Sequence, residues 1–396
     1  MLISKRIKNT KVSAIRKLTP FANEAKAKGI HVYHMNIGQP DIETPEAYFD
    51  ALKSYNKNVL GYESSEGIRE LRKGFSDFLK LHNIDYSEDE IYVTNGGSEA
   101  LLFSFIAICD ENDEILVPEP YYSNYNTIAN SCGVKLIPFK TKLENGFHIE
   151  SKESILEAIT SKTRAVLYSN PSNPTGVVYS LEELEFIAEV ALEKNLYVIS
   201  DEVYRELIYD NIKYESIFLL DKIRKNLILV DSLSKRYSVC GSRIGMIASK
   251  NKDLMNEILK LCQSRLSISS VEQYAAINLL KLPMSYIEKI RDTYEERRNA
   301  ICTILKEIDG VTFNRPEGAF YLIVSLPVNN SEDFCKWLLT DFNINNETVM
   351  FAPADGFYSN GENGKSQIRI SYCISIEHIK KAMNILKEAL KVYNNL

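Results

Sequence analysis

The chain has 396 residues, 45% of them hydrophobic and 25% charged. That is ordinary globular composition, which excludes a fibrous or disordered chain and leaves room for more than one domain. Its 47 Lys and Arg against 53 Asp and Glu give a formal net charge of −6, with no basic footprint for nucleic acid.

The seven cysteines stand singly, with no CxxC pair and no His/Cys group at metal spacing, so neither a disulfide framework nor a metal site is expected. The start shows no signal-like apolar run, and no stretch of about 18 apolar residues follows. The expectation is a cytoplasmic protein without a membrane span.

In chain order, roughly the first 40 residues are too few for a domain and are expected to pack against the C-terminal part. The middle alternates short apolar runs with helical segments. Ile91–Thr94, Ile115–Val117, Ala165–Tyr168, Tyr197–Ser200, Ile228–Val230 and Ile244–Ala248 are apolar throughout. That is the pattern of strands buried on both faces, as in a mostly parallel sheet. Helices are expected over Glu99–Cys109, after a Gly-Gly-Ser turn, and over Leu181–Glu193, where Ser180 and Glu183 have capping-box spacing. Ser154 and Glu157 repeat that spacing before another helix. The alternation defines an α/β, doubly wound domain over residues 45–280.

Beyond it, a charged helix over Met284–Ile308 leads to the turn Pro316-Glu317-Gly318. Strands over Phe320–Val324 and Gln367–Ser371 and helices over Glu332–Leu339 and Ile376–Val392 follow. Residues 1–44 with 281–396 read as a smaller α+β domain.

In an open parallel sheet, ligands bind beyond the carboxyl ends of the strands. Those ends carry Thr94-Asn95-Gly96-Gly97-Ser98, Pro118-Glu119-Pro120-Tyr121-Tyr122, Ser169 to Gly176 (SNPSNPTG), Ser200-Asp201-Glu202-Val203-Tyr204 and Asp231-Ser232-Leu233-Ser234-Lys235, with Arg243 shortly after. Glycines opening a helix let backbone N–H groups approach an anion. The pattern is neither GxGxxG nor GxxxxGK[ST], so no dinucleotide or Walker loop is expected. Amides, a carboxylate, phenols, an Asn, hydroxyls, a Lys and an Arg at one edge suit a phosphorylated aromatic aldehyde.

The order and spacing of these segments resemble the class I/II aminotransferases, fold-type I enzymes that use pyridoxal 5'-phosphate. Asp201 falls 28 residues after Asn173 and Lys235 falls 34 after Asp201, followed by Ser242-Arg243-Ile244-Gly245 and a late Arg369-Ile370-Ser371. The resemblance runs from Ile37-Gly38-Gln39-Pro40-Asp41 to Ser371 and includes aspartate aminotransferases. It implies that Lys235 forms the Schiff base with the cofactor and moves protons. It implies that Asp201 pairs with the ring nitrogen, Tyr204 and Asn173 bond the ring hydroxyl, and Tyr122 stacks on the ring. Gly97, Ser98, Ser232 and Arg243 would hold the phosphate, Arg369 the substrate α-carboxylate, and Gly38 would let the N-terminal segment approach it. Tyr62 matches a tyrosine that reaches the phosphate of a neighbouring subunit, which implies a homodimer with composite sites.

The implied activity is ping-pong transfer of an amino group from an L-amino acid, possibly aspartate, to a 2-oxo acid such as 2-oxoglutarate. Arg265 is taken as the cation for a distal carboxylate. Tyr122 and the segment Phe351-Ala352-Pro353-Ala354-Asp355-Gly356-Phe357 depart from many relatives near the substrate. Preference for alanine or an aromatic amino acid therefore stays open, as does a C–S β-lyase or S-adenosylmethionine cyclase on the same scaffold. An effector domain fused to a DNA-binding helix-turn-helix is disfavoured by the short segment before Gly38. No role is given to His31, His34, His82, His148 or His378, and Ile15 and Ile37 are read as core rather than as a gate over the site.

Overall fold

Seven of the chain's segments pair into one central sheet in the structure, a computed structural model that describes every residue except Met1, Asn9 and Leu396. The outermost ends and position 9 of the expected smaller domain thus lie outside the described residues. Numbered from β1 (His31–His34), the central strands are β2 (Ile91–Asn95), β3 (Glu114–Glu119), β4 (Lys135–Lys140), β5 (Thr163–Ser169), β6 (Tyr197–Asp201), β7 (Leu227–Ser232) and β8 (Ile244–Ala248). They lie in the order β2-β8-β7-β6-β5-β3-β4. All neighbours are parallel except where β8 meets β2 and β7. β3 and β7 are buried along their whole length, as their unbroken apolar runs require. Separate apolar clusters pack the two faces.

β8 runs against its neighbours, so its start, and not its end, lies at the edge where β2, β5, β6 and β7 end. Its register pairs Gly245 with Ser232 and Ile244 with Asn95. A Cβ on Gly245 would stand 2.5 Å from the carbonyl carbon of Gly96 and 2.8 Å from the Gly97 nitrogen. Glycine at 245 is what lets the turn after β2 close over β8.

The C-terminal part forms an antiparallel sheet of β9 (Thr312–Phe313), β10 (Tyr321–Ser325), β12 (Ala352–Pro353) and β13 (Gln367–Ser371). β11 (Glu347–Met350) pairs in parallel with β1, which ties the N-terminal segment to this part. The helices Met284–Leu305 and Ile376–Tyr393 pack on each other and share one core with this sheet.

Three local expectations are corrected. β4 is an additional strand; Lys135, Pro138 and Lys140 hide its pattern, and Pro is tolerated there because β4 lies at the sheet edge. The helix of the second proposed capping box spans Lys152–Leu156 and is capped by Ser151, which accepts from the Ser154 N–H, so Ser154 is already inside it. The first helix begins at Gly96 and runs to Ile108, with Glu99 accepting from the Asn95 N–H. The Ser180–Glu183 capping box is present as read.

Candidate active site

The carboxyl edge of the central sheet and the antiparallel sheet enclose a cavity of about 1180 Å³. Gly97 and Ser98 enter it from the first turn of the helix Gly96–Ile108, Tyr122 from the loop after β3, and Asn173 from the loop after β5. Asp201 ends β6 and Ser232 ends β7, with Tyr204 and Lys235 three residues beyond each; all four line it, as does Arg243, just before β8. Gly38 and Arg369, from the N-terminal segment and β13, complete the wall. Eleven positions singled out in sequence thus share one cavity.

Asp201 is buried and accepts from the Tyr125 hydroxyl at 2.8 Å and, more weakly, from the Val203 N–H at 3.5 Å. Burial pushes its carboxyl up to about 6, and these two bonds only partly offset that. The Lys235 amine donates to the Gly38 carbonyl at 2.9 Å and lies 3.8 Å from the Cys240 sulfur. No carboxylate stands within ion-pair distance of it among the described residues. A Cβ on Gly38 would overlap the Tyr321 ring, so only glycine allows this approach. The Tyr321 and Tyr204 hydroxyls are 3.0 Å apart.

Arg369 is buried between the rings of Tyr321 and Phe357, with its guanidinium carbon 4.4 and 4.9 Å from their centroids. It donates to the Asn173 side-chain oxygen at 3.1 Å and to the Asn36 carbonyl, while its Nε has no hydrogen-bond partner among the described residues. Among the described residues no carboxylate pairs with it, and burial lowers its pKa. At the other end, Ser232 Oγ lies 2.9 Å from Ser234 Oγ, and the Arg243 guanidinium packs against Gly96. Arg243 itself adopts φ +56°, a left-handed turn that swings its side chain back to the start of the helix.

Two predicted residues lie elsewhere. Arg265 is outside this cavity; it donates to the carbonyls of Ser65 at 3.2 Å and Val93 at 3.1 Å and borders a smaller pocket on the far side of Arg243. β8 leads away from the cavity, and the following helix, Lys252–Ser264, brings Arg265 beside β2 rather than into the cavity wall. Tyr62 is 81% exposed and lies outside both pockets. Ile15 and Ile37, read as core, line the cavity instead.

Sequence reading missed Tyr125, Tyr321 and Cys240. Tyr125 follows Tyr122 by three residues at a strand end, which was the available signal. The other two gave none. Ser234 lay within the quoted Ser232-Leu233-Ser234-Lys235 run but was given no role.

The donor set fits pyridoxal phosphate: hydroxyls, helix-start amides and a guanidinium for a phosphate, a buried carboxylate for a protonated ring nitrogen, and a lysine amine free of ion pairs for an aldehyde. A sequence model described as aminotransferase class I and II matches residues 30–386, and the chain belongs to that family. It is a pyridoxal-phosphate-dependent aminotransferase, with amino acids and 2-oxo acids as substrates. It is 33% identical to an aspartate aminotransferase of Bacillus subtilis over 405 aligned positions, covering 100% of both chains. An aspartate aminotransferase structure from Thermotoga maritima superimposes with TM-score 0.89 at 31% identity, covering 98% of this chain and 100% of that one. An alanine aminotransferase from Pyrococcus furiosus gives 0.90 at 32%, with the same coverage.

Proposed function

We propose that this aminotransferase takes the amino group of aspartate and passes it to a 2-oxo acid such as 2-oxoglutarate, donor and acceptor occupying one cavity in turn. The observation that carries the reading is Arg369, a buried guanidinium with no carboxylate partner among the described residues and an unused Nε, opening into the same cavity as Lys235 and Asp201. Such a cation is costly unless an anion meets it, and its planar fork matches a carboxylate.

Pyridoxal phosphate, when bound, supplies an electron sink for negative charge at the substrate α-carbon. Lys235 would hold the cofactor through its amine and is the group placed to accept a proton from the substrate α-carbon. Asp201 keeps a proton on the ring nitrogen. Tyr204 and Asn173 hold the ring hydroxyl, and Tyr122 covers one ring face. Gly97, Ser98, Ser232 and Arg243 bind the phosphate. Arg369 and Asn173 would fix the α-carboxylate, Gly38 leaving room for it, and so orient the substrate toward Lys235, a positioning effect. Aspartate is preferred here because the Bacillus and Thermotoga relatives carry that name.

The chain is proposed to act as a cytoplasmic homodimer. Tyr62 stands in an exposed stretch with Val59 at 76% and Leu60 at 67% exposure, apolar surface suited to a second copy whose phosphate site Tyr62 would reach. The division into residues 45–280 and 1–44 with 281–396 is likewise a proposal, supported by the span of the central sheet.

The test is the cofactor-loaded protein with aspartate alone. One equivalent of oxaloacetate per cofactor is expected, continuing only when 2-oxoglutarate is added. Sustained release of ammonia and pyruvate from a donor alone would replace this reading with a lyase.

A further inference from the structure

Behind the cavity wall lies a second charged assembly, separate from the groups that line the cavity. Glu202 and Glu206 follow β6, Asp231 is the last residue but one of β7, and Arg205 and Arg236 sit beside Tyr204 and Lys235; all five are buried. Arg205 Nε donates to Glu202 at 2.9 Å, and its Nη1 donates to Asp231 at 3.1 Å. Arg236 donates through Nη2 to the other Asp231 oxygen and brings its Nε to 3.0 Å from Glu206 without hydrogen-bond alignment. Asp231 Oδ1 also accepts from the Ser232 N–H at 2.6 Å.

Each strand end thus carries cavity residues on one side and ionic residues on the other. Asp201 and Tyr204 alternate with Glu202, Arg205 and Glu206; Ser232 and Lys235 alternate with Asp231 and Arg236. One bridging carboxylate, Asp231, is gripped by an arginine from each end. The last main-chain bond between the two strands runs from the Glu202 N–H to the Val230 carbonyl at 2.9 Å, and beyond it the ionic lattice is what ties the two ends together.

We propose that Arg205 and Arg236, clasping Asp231, are positioning residues for the reaction: they hold Lys235 and Ser232 in register with Asp201 and Tyr204, and keep an anionic group behind Asp201. This rests on the cofactor reading above.

The charged neighbourhood supports the second half. Asp231 and Glu202 both raise the Asp201 pKa. The two arginines hold Asp231 ionised, whereas burial raises Glu206. His82, 3.4 Å from Glu206, has its pKa lowered to about 3 by burial and by the arginines, so it adds no cation at neutral pH. Around Asp201 itself the remaining titratable neighbour bonded to it is Tyr125.

The experiment compares cofactor-loaded wild type with Arg236→Lys and Asp231→Asn. Arg236→Lys keeps the charge but loses the fork. A misplacement of the order of 1 Å is worth about a hundredfold in rate, so kcat is expected to fall between about tenfold and a hundredfold with KM for the donor nearly constant. Cofactor affinity should fall with it. Asp231→Asn removes a negative charge behind Asp201, so the pH midpoint of the bound cofactor's visible absorbance should move downward. A purely structural cluster would lower thermal stability in both variants and leave affinity, midpoint and kcat at wild-type values, which overturns the proposal. So does a change confined to KM. Should Arg236→Lys not fold, the Asp231→Asn midpoint decides alone. A wild type that binds no pyridoxal phosphate would instead sink the cofactor reading itself.

Discussion

Replacing Asp201 by Asn should stabilise the cofactor-free protein at neutral pH while destroying its activity. In the folded chain the carboxyl titrates at about 6, against an ordinary value of 3.8, because burial disfavours its charge. The shift is about 2 pH units at about 1.4 kcal/mol each, so ionising Asp201 costs the fold about 3 kcal/mol at pH above 6. The sign follows from proton uptake: between the two values the folded state holds the proton and the unfolded state does not, so this contribution falls as pH rises from about 4 to about 6 and is flat beyond. Asn keeps the shape and still accepts from Tyr125, without the charge.

Urea unfolding of both cofactor-free proteins at several pH values gives the difference directly, with other carboxylates cancelling. Near pH 4 and below the two should be nearly equal. Near pH 7 the Asn variant should be more stable by about 3 kcal/mol. Parallel curves, or a gap that narrows with rising pH, would refute the assignment of a buried, unpaired carboxylate. Adding pyridoxal phosphate should reverse the order, since only Asp201 can pair with a protonated ring nitrogen, and kcat should fall by about a hundredfold or more.

Arg369→Lys loses the fork that bridges Asn173 and the substrate; charged hydrogen bonds worth about 1.5–3 kcal/mol predict a loss of at least about tenfold in kcat/KM, carried by KM. An unchanged KM for every amino acid would remove Arg369 from carboxylate binding. Arg265→Ala leaves the Ser65 and Val93 carbonyls without their donor and should cost about 1–3 kcal/mol in stability, while the aspartate-to-alanine ratio of kcat/KM stays put. A collapse of that ratio in steady-state kinetics would restore Arg265 to specificity. Tyr62→Ala should weaken cofactor binding, measured by absorbance titration, with the monomer's fold intact by circular dichroism; an unaltered affinity would detach Tyr62 from any neighbouring phosphate site.

The central strands were legible because each is buried on both faces and therefore apolar without alternation. β4 was not, since an edge strand may carry lysines and a proline without losing pairing. The cavity residues were legible because a wound sheet gathers its strand ends, and turn-forming polar residues mark those ends. Their partners were harder. Tyr321 meets Tyr204 across 117 positions and Arg369 meets Asn36 across 333; contacts so remote leave no local pattern. Arg265 lies outside the cavity for a related reason: proximity in sequence to the cofactor strands says nothing about direction, and β8 runs the other way.

That reversal has a consequence for the site. Had β8 run parallel to β7, its beginning would lie at the opposite edge of the sheet, and Arg243 with it. Antiparallel pairing brings Gly245 beside Ser232 and places Arg243 against Gly96, so hydroxyl, guanidinium and helix-start amides converge from β7, β8 and the turn after β2. Arg369 comes from a different sheet altogether, on β13. The groups suited to a cofactor therefore sit on one sheet, which holds their spacing. The guanidinium suited to a substrate carboxylate sits on the other, so a relative shift of the two sheets alters substrate placement while leaving the cofactor groups in register.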